Sequence, residues 1–153
     1  MRLNIAAVAL SAIIMLAACG QEKPAAAAPI PTMAPEPVVD LAKLAGQSQE
    51  AVKALLGDPG ECEASKYGPK CTYSKGETEV VFINGAADWI TVNALPGVVY
   101  GPEALNAVGL KPRSAAVSND QVVRYTNIPG FLDVSVFPQG GTVWYVYAKV
   151  KTP

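Results

Sequence analysis

All eleven aromatic residues of this 153-residue chain lie between Tyr67 and Tyr147, and a chain builds a core only where it has large apolar side chains to bury. Residues 20–38 carry Pro24, Pro29, Pro31, Pro35 and Pro37 around an alanine run at 25–28, with no aromatic residue. Such a segment leans towards extended polyproline II, at about 3.1 Å per residue, and reads as a tether. The folded unit is therefore expected at residues 39–153, near the usual size of one domain.

Within that unit the chain resembles itself. Glu50-Ala51-Val52-Lys53-Ala54-Leu55-Leu56-Gly57-Asp58-Pro59 aligns with Glu103-Ala104-Leu105-Asn106-Ala107-Val108-Gly109-Leu110-Lys111-Pro112. Each reads as a short helix ended by Gly and Pro. Ser48 is placed as N-cap of the first, with Ala51, Val52, Leu55 and Leu56 as its buried stripe and Gly57 as its left-handed stop. Pro102 opens the second, with Leu105 and Val108 inside. Downstream, Cys71-Thr72-Tyr73 matches Val123-Arg124-Tyr125, residues 79–83 match 133–137, and Asn84-Gly85 and Gly140-Gly141 mark hairpin turns. The expected fold is α+β: two tandem repeats, about 44–95 and 100–151, each a helix plus a three-stranded antiparallel sheet, with the helices packed on one face. In the last strand Trp144, Val146, Ala148 and Val150 are expected to face the helices, and Tyr145, Tyr147, Lys149 and Lys151 the solvent. By the same register Val81, Ile83, Ile90 and Val92 are expected to point away from the first helix.

The amino terminus carries an address. Arg2 supplies a short positive region, residues 5–16 an apolar run too short to span a bilayer, and Leu16-Ala17-Ala18-Cys19 a site of the kind bacterial lipoprotein signal peptidase cuts. Residues 1–18 are expected to be removed, with lipid placed on Cys19. A diacylglyceryl thioether plus an N-acyl group buries enough CH₂, at about 0.8 kcal/mol each, for stable attachment. Gly20 follows Cys19 where an Asp would retain the protein in an enteric inner membrane, so the expected location is the outer membrane, periplasmic side.

Composition excludes several chemistries. Removing residues 1–18 takes away Arg2 and leaves 11 basic against 13 acidic side chains, which is no footprint for nucleic acid. The absence of His removes the usual general base and the commonest metal ligand, and no phosphate loop of either standard spacing is present. The carboxylate pairs Glu61/Glu63 and Glu77/Glu79 read as solvated faces, and Ser65-Lys66 and Ser74-Lys75 as strand neighbours that point to opposite sides. No enzyme, cofactor, metal or small-molecule substrate is expected. With Cys19 assigned to lipid, Cys62 and Cys71 remain for a disulfide across a hairpin or loop in an oxidising compartment.

The fourteen residues from Gly46 to Pro59 follow the pattern G-x-[ST]-x-x-x-V-x-x-x-L-G-x-P and resemble the opening motif of the SmpA/OmlA (BamE-like) outer-membrane lipoproteins, with Tyr73, Phe82, Gly85 and Trp89 in the order of that group's strands. The second half, residues 134–143, is similar to the strand part again. Two such units in tandem resemble the plan of secreted beta-lactamase inhibitor proteins. The resemblance implies an accessory of outer-membrane assembly. The exposed row of Phe137, Tyr145, Tyr147 and Lys149, flanked by Arg124, has the composition of an interface centre. The expected function is a lipid-anchored envelope protein that binds a protein partner; the alternative is an inhibitor that plugs a periplasmic or exogenous hydrolase with the Cys62–Cys71 loop or the sheet face.

Overall fold

In the computed structural model, which describes residues 36–151, buried and outward side chains alternate along most strands of an eight-stranded sheet. The strands are β1 (Pro59–Ser65), β2 (Gly68–Tyr73), β3 (Thr78–Ile83), β4 (Ala86–Val92), β5 (Val117–Ser118), β6 (Val123–Tyr125), β7 (Phe131–Gln139) and β8 (Thr142–Val150). All pairings are antiparallel, in the order β1-β2-β3-β4-β8-β7-β6-β5. Asn84-Gly85 and Gly140-Gly141 close the β3–β4 and β7–β8 hairpins with positive φ at both positions of each turn, the twist that two-residue hairpin loops require.

This overturns the expected pair of helix-plus-three-strand repeats. Val92 lies opposite Val146 and Trp89 opposite Lys149, so β4 and β8 join what would have been two small sheets into one. Backbone hydrogen-bonding groups at two facing sheet edges would otherwise stay unpaired, and pairing them satisfies both. Residues 59–65 and 117–118 add strands the sequence pattern did not mark, because β1 is exposed along almost its whole length and β5 is two residues long.

The helices are short. Helix α1 (Leu41–Leu44) starts at Asp40, whose carboxylate accepts from the Lys43 N–H, and buries Leu41 and Leu44. Helix α2 (Gln49–Leu56) is capped by Ser48, whose hydroxyl accepts from the Ala51 N–H at 3.3 Å. Its stripe is narrower than the sequence implies: Val52 and Leu56 are buried, while Leu55 is 39% exposed. Gly57 stops it with φ 93 and ψ −173, an extended positive-φ conformation rather than the left-handed helical one. The segment Pro102–Val108 is a 3₁₀ helix, not an α-helix, with Ala104, Leu105 and Val108 inside. Its end at Gly109 is tight: a Cβ there would sit 2.9 Å from the Asp40 Cα, at φ +72.

One face of the sheet meets these helices. Val80, Ile90, Ala148, Val134 and Tyr125 succeed one another as direct cross-strand partners from β3 to β6 and are all buried with Val52, Leu105 and Val108. Ile90 and Val92 thus lie in the core, against the expectation that they point away. The reason is a bulge between Val81 and Phe82, which shifts the pairing of β4. A second irregularity, between Phe137 and Pro138, breaks the alternation at the start of β8. There Val143 is buried and Trp144, expected among the core residues, is 55% exposed.

The chain joins the fold at Val38, whose N–H donates to the Ala107 carbonyl at 2.9 Å. Cys19, the residues of the signal and most of the tether lie outside the described residues.

Four tyrosines give the fold a pH signature. Burial pushes Tyr73, Tyr100, Tyr125 and Tyr147 above the ordinary phenol value, helped by the negative charge of Asp120 at Tyr100 and of Asp133 at Tyr147. The folded chain therefore holds more protons than the unfolded one above about pH 10, and stability falls as pH rises through that range. Phenolate absorbance of the native protein is expected to lag behind that of the urea-unfolded protein; coincident titrations would contradict the burial.

Candidate functional site

Among the described residues the other face of the sheet carries no helix, and strand register lays its side chains out in rows. One row crosses all eight strands as direct partners: Glu61, Thr72, Glu79, Thr91, Tyr147, Ser135, Arg124, Val117. The next row runs Glu63, Lys70, Val81, Trp89, Lys149, Asp133 from β1 to β7. Beyond Tyr147 along β8, Tyr145 faces Phe137, and their rings stack with centroids 4.5 Å apart. The four residues singled out from the sequence, Phe137, Tyr145, Tyr147 and Lys149, thus share one face, each half-buried.

What the sequence pattern missed is the company they keep. Lys149 reaches from β8 to the carboxylate of Asp88, which is 1% exposed on the neighbouring β4, and its ammonium stands 5.4 Å from the centre of the Trp89 ring. Desolvation pulls the Lys149 pKa below the ordinary lysine value. Tyr67, at the tip of the β1–β2 hairpin, packs its ring 4.5 Å from Trp89. Gly68 makes that possible: at φ +141 its Cα lies so close to β3 that a Cβ would fall 2.0 Å from the Phe82 carbonyl oxygen. On the far side of Lys149, Arg124 Nε donates to Ser135 Oγ at 3.1 Å, and Ser135 Oγ donates to Asp133 at 2.9 Å. No residue spacing encodes the pairing of Asp88 with Lys149, 61 positions apart; the run of outward aromatics was the only available signal.

The face combines rigid aromatic area with paired charges. Glu63 bridges Lys70 at 2.7 Å, and the further acidic side chains Glu79 and Glu61 also raise the Lys70 pKa after Glu63 itself. Such a surface has what association requires, large rings that lose little freedom on contact and hydrogen-bonding groups already oriented. The carboxylates Glu61 and Glu63 lie on the exposed edge strand, and Ser65 is tied into its own turn by a 2.6 Å bond to the Gly68 carbonyl. Among the described residues no group of three or more His, Cys, Asp or Glu side chains gathers as a metal site.

Cys62 and Cys71 are bonded, as direct partners across β1 and β2. The bond lies on the helix side of the sheet: Cys71 is buried in the core, and the amide of Gln49, the first residue of α2, donates to its sulfur at 3.1 Å. The disulfide and the aromatic rows are therefore on opposite faces.

Compared with known protein families, with curated proteins and with solved structures, the chain matches none.

Proposed function

We propose that this chain is an exported lipoprotein, anchored through Cys19 on the periplasmic side of the outer membrane, which binds an envelope protein through the open face of its sheet. The observation that carries the binding reading is the pair of rows on that face, where Tyr67, Trp89, Tyr145, Tyr147 and Phe137 lie around the Lys149–Asp88 pair. Aromatic residues and desolvated charge pairs concentrate at interface centres. The signal residues up to Cys19 and the disulfide support an oxidising compartment outside the cytosol, and the resemblance of residues 46–59 to outer-membrane lipoproteins supports the membrane. An inhibitor of a hydrolase would use either this face or the Cys62–Cys71 loop; where it uses the face, the identity of the captured partner separates the two roles.

A photo-crosslinking residue placed at Tyr145 or Tyr147 in cells is expected to trap a discrete envelope protein, while the same residue at Leu55, on the helix side, traps none. Equal trapping at all three positions would defeat the binding reading, and a captured soluble hydrolase would favour inhibition. Cys19→Ala is expected to abolish fatty-acid labelling and release the protein from the membrane fraction.

A further inference from the structure

Beyond Val92 and Val146 the strands β4 and β8 part, and the residues that follow β4 swing away until Val98 accepts a hydrogen bond from the Val143 N–H at 2.8 Å. The gap is a groove of about 360 Å³, within the range of ligand sites, with Leu95 and Val143 at its base and Trp144, Glu77, Asn93 and Gln139 around it. We propose that this groove binds a neutral oligosaccharide, with Trp144 as the stacking platform and Glu77, Asn93 and Gln139 as hydrogen-bonding partners of the sugar hydroxyls.

Four observations support this ligand class. Trp144 is the most exposed aromatic residue in the described chain, so the fold does not use its ring for the core. Its position is nevertheless fixed, because Tyr145 meets it edge to face at 5.2 Å and is itself stacked on Phe137. An indole face, negative at its centre, attracts the C–H-bearing face of a pyranose.

The second observation is Glu77. Its carboxylate makes no hydrogen bond or ion pair among the described residues, and the residue sits at φ 44, where non-glycine residues are strained. Asn93 donates to the Glu77 carbonyl at 2.9 Å, and its side-chain oxygen makes no hydrogen bond among the described residues. Third, Glu77 is the one charged residue in the lining, which disfavours phosphates and other anions, while a purely apolar ligand would leave the amides and carboxylate desolvated and unpaired. Fourth, Glu77 and Asn93 also border a neighbouring recess of about 310 Å³, lined by Thr72, Tyr73 and Glu79. That recess gives a chain of sugars room to continue past the first ring.

The test uses the full chain in a non-glycosidic detergent, titrated with triacetylchitotriose and with maltotriose while the side-chain amide signals of Asn93 and Gln139, present in every variant, are followed by NMR. A saturable shift with at least one of them is expected, with Kd on the order of 1 mM. Trp144→Ala should weaken binding at least about tenfold without moving the melting temperature, and Glu77→Gln about threefold to tenfold, the loss of one charge-assisted hydrogen bond. No saturable shift up to about 10 mM with either sugar, or affinity unchanged in both variants, would overturn the proposal. Either result leaves the protein-binding reading standing, since crosslinking at Tyr145 and Tyr147 does not depend on sugar.

Discussion

Lys149→Met is expected to cost about 3–5 kcal/mol of stability, more than any other single change on the open face. The reason lies beneath the side chain. Asp88 is 1% exposed, one of its oxygens has Lys149 as its partner and the other has no partner among the described residues. A methionine of similar length keeps the contact with Trp89 and removes only the charge, so a carboxylate is left in a dry site with nothing to balance it. A second variant completes the argument. Lys149→Met combined with Asp88→Leu removes both charges, and it should recover most of the loss, since replacing a buried pair by apolar groups is often neutral. Urea denaturation of the wild type, both single variants and the double variant gives the coupling directly. A single variant as stable as the wild type would mean that solvent reaches Asp88.

How much of this was legible in the sequence follows from what periodicity can encode. The outward parity of Tyr145, Tyr147 and Lys149 was readable, because a strand alternates with period two and Val146, Ala148 and Val150 supplied the other phase. The turns at Asn84-Gly85 and Gly140-Gly141 were readable because few residues tolerate positive φ. Trp144 was misplaced for the same reason that Tyr145 was placed well: alternation was carried through a bulge, and a bulge leaves no mark in the hydrophobic pattern. The same failure put Ile90 and Val92 on the wrong face. The two-repeat reading failed one level up. Local similarity between residues 50–59 and 103–112 holds in composition, but the first became an α-helix and the second a 3₁₀ helix. More decisively, nothing in either half announces that β4 and β8 pair. That long-range choice created the open face, brought Trp89 beside Lys149, and made the site larger than the four residues the sequence marked.

Reduction of Cys62–Cys71 should lower stability by about 2.5–3 kcal/mol, the loop-closure entropy of a ring of about ten residues. The bond ties the exposed edge strand β1 to β2, and Glu61, Glu63 and Ala64 have little burial of their own to hold them there. Binding should respond differently. The disulfide lies on the helix side, under Gln49, while the stacked rings of Phe137, Tyr145 and Trp144 stand on β7 and β8, several strands away. Well below the lowered melting temperature, crosslinking at Tyr145 and Tyr147 should therefore match that of the oxidised protein. An inhibitor that worked by inserting the 63–70 hairpin would behave in the opposite way, because Tyr67 is held over Trp89 only while that hairpin keeps its place. Reduced protein that is still folded but no longer crosslinks at β8 would move the centre of recognition from the sheet face to the hairpin. Reduced protein that melts early and crosslinks normally assigns the disulfide to stability and the open face to binding.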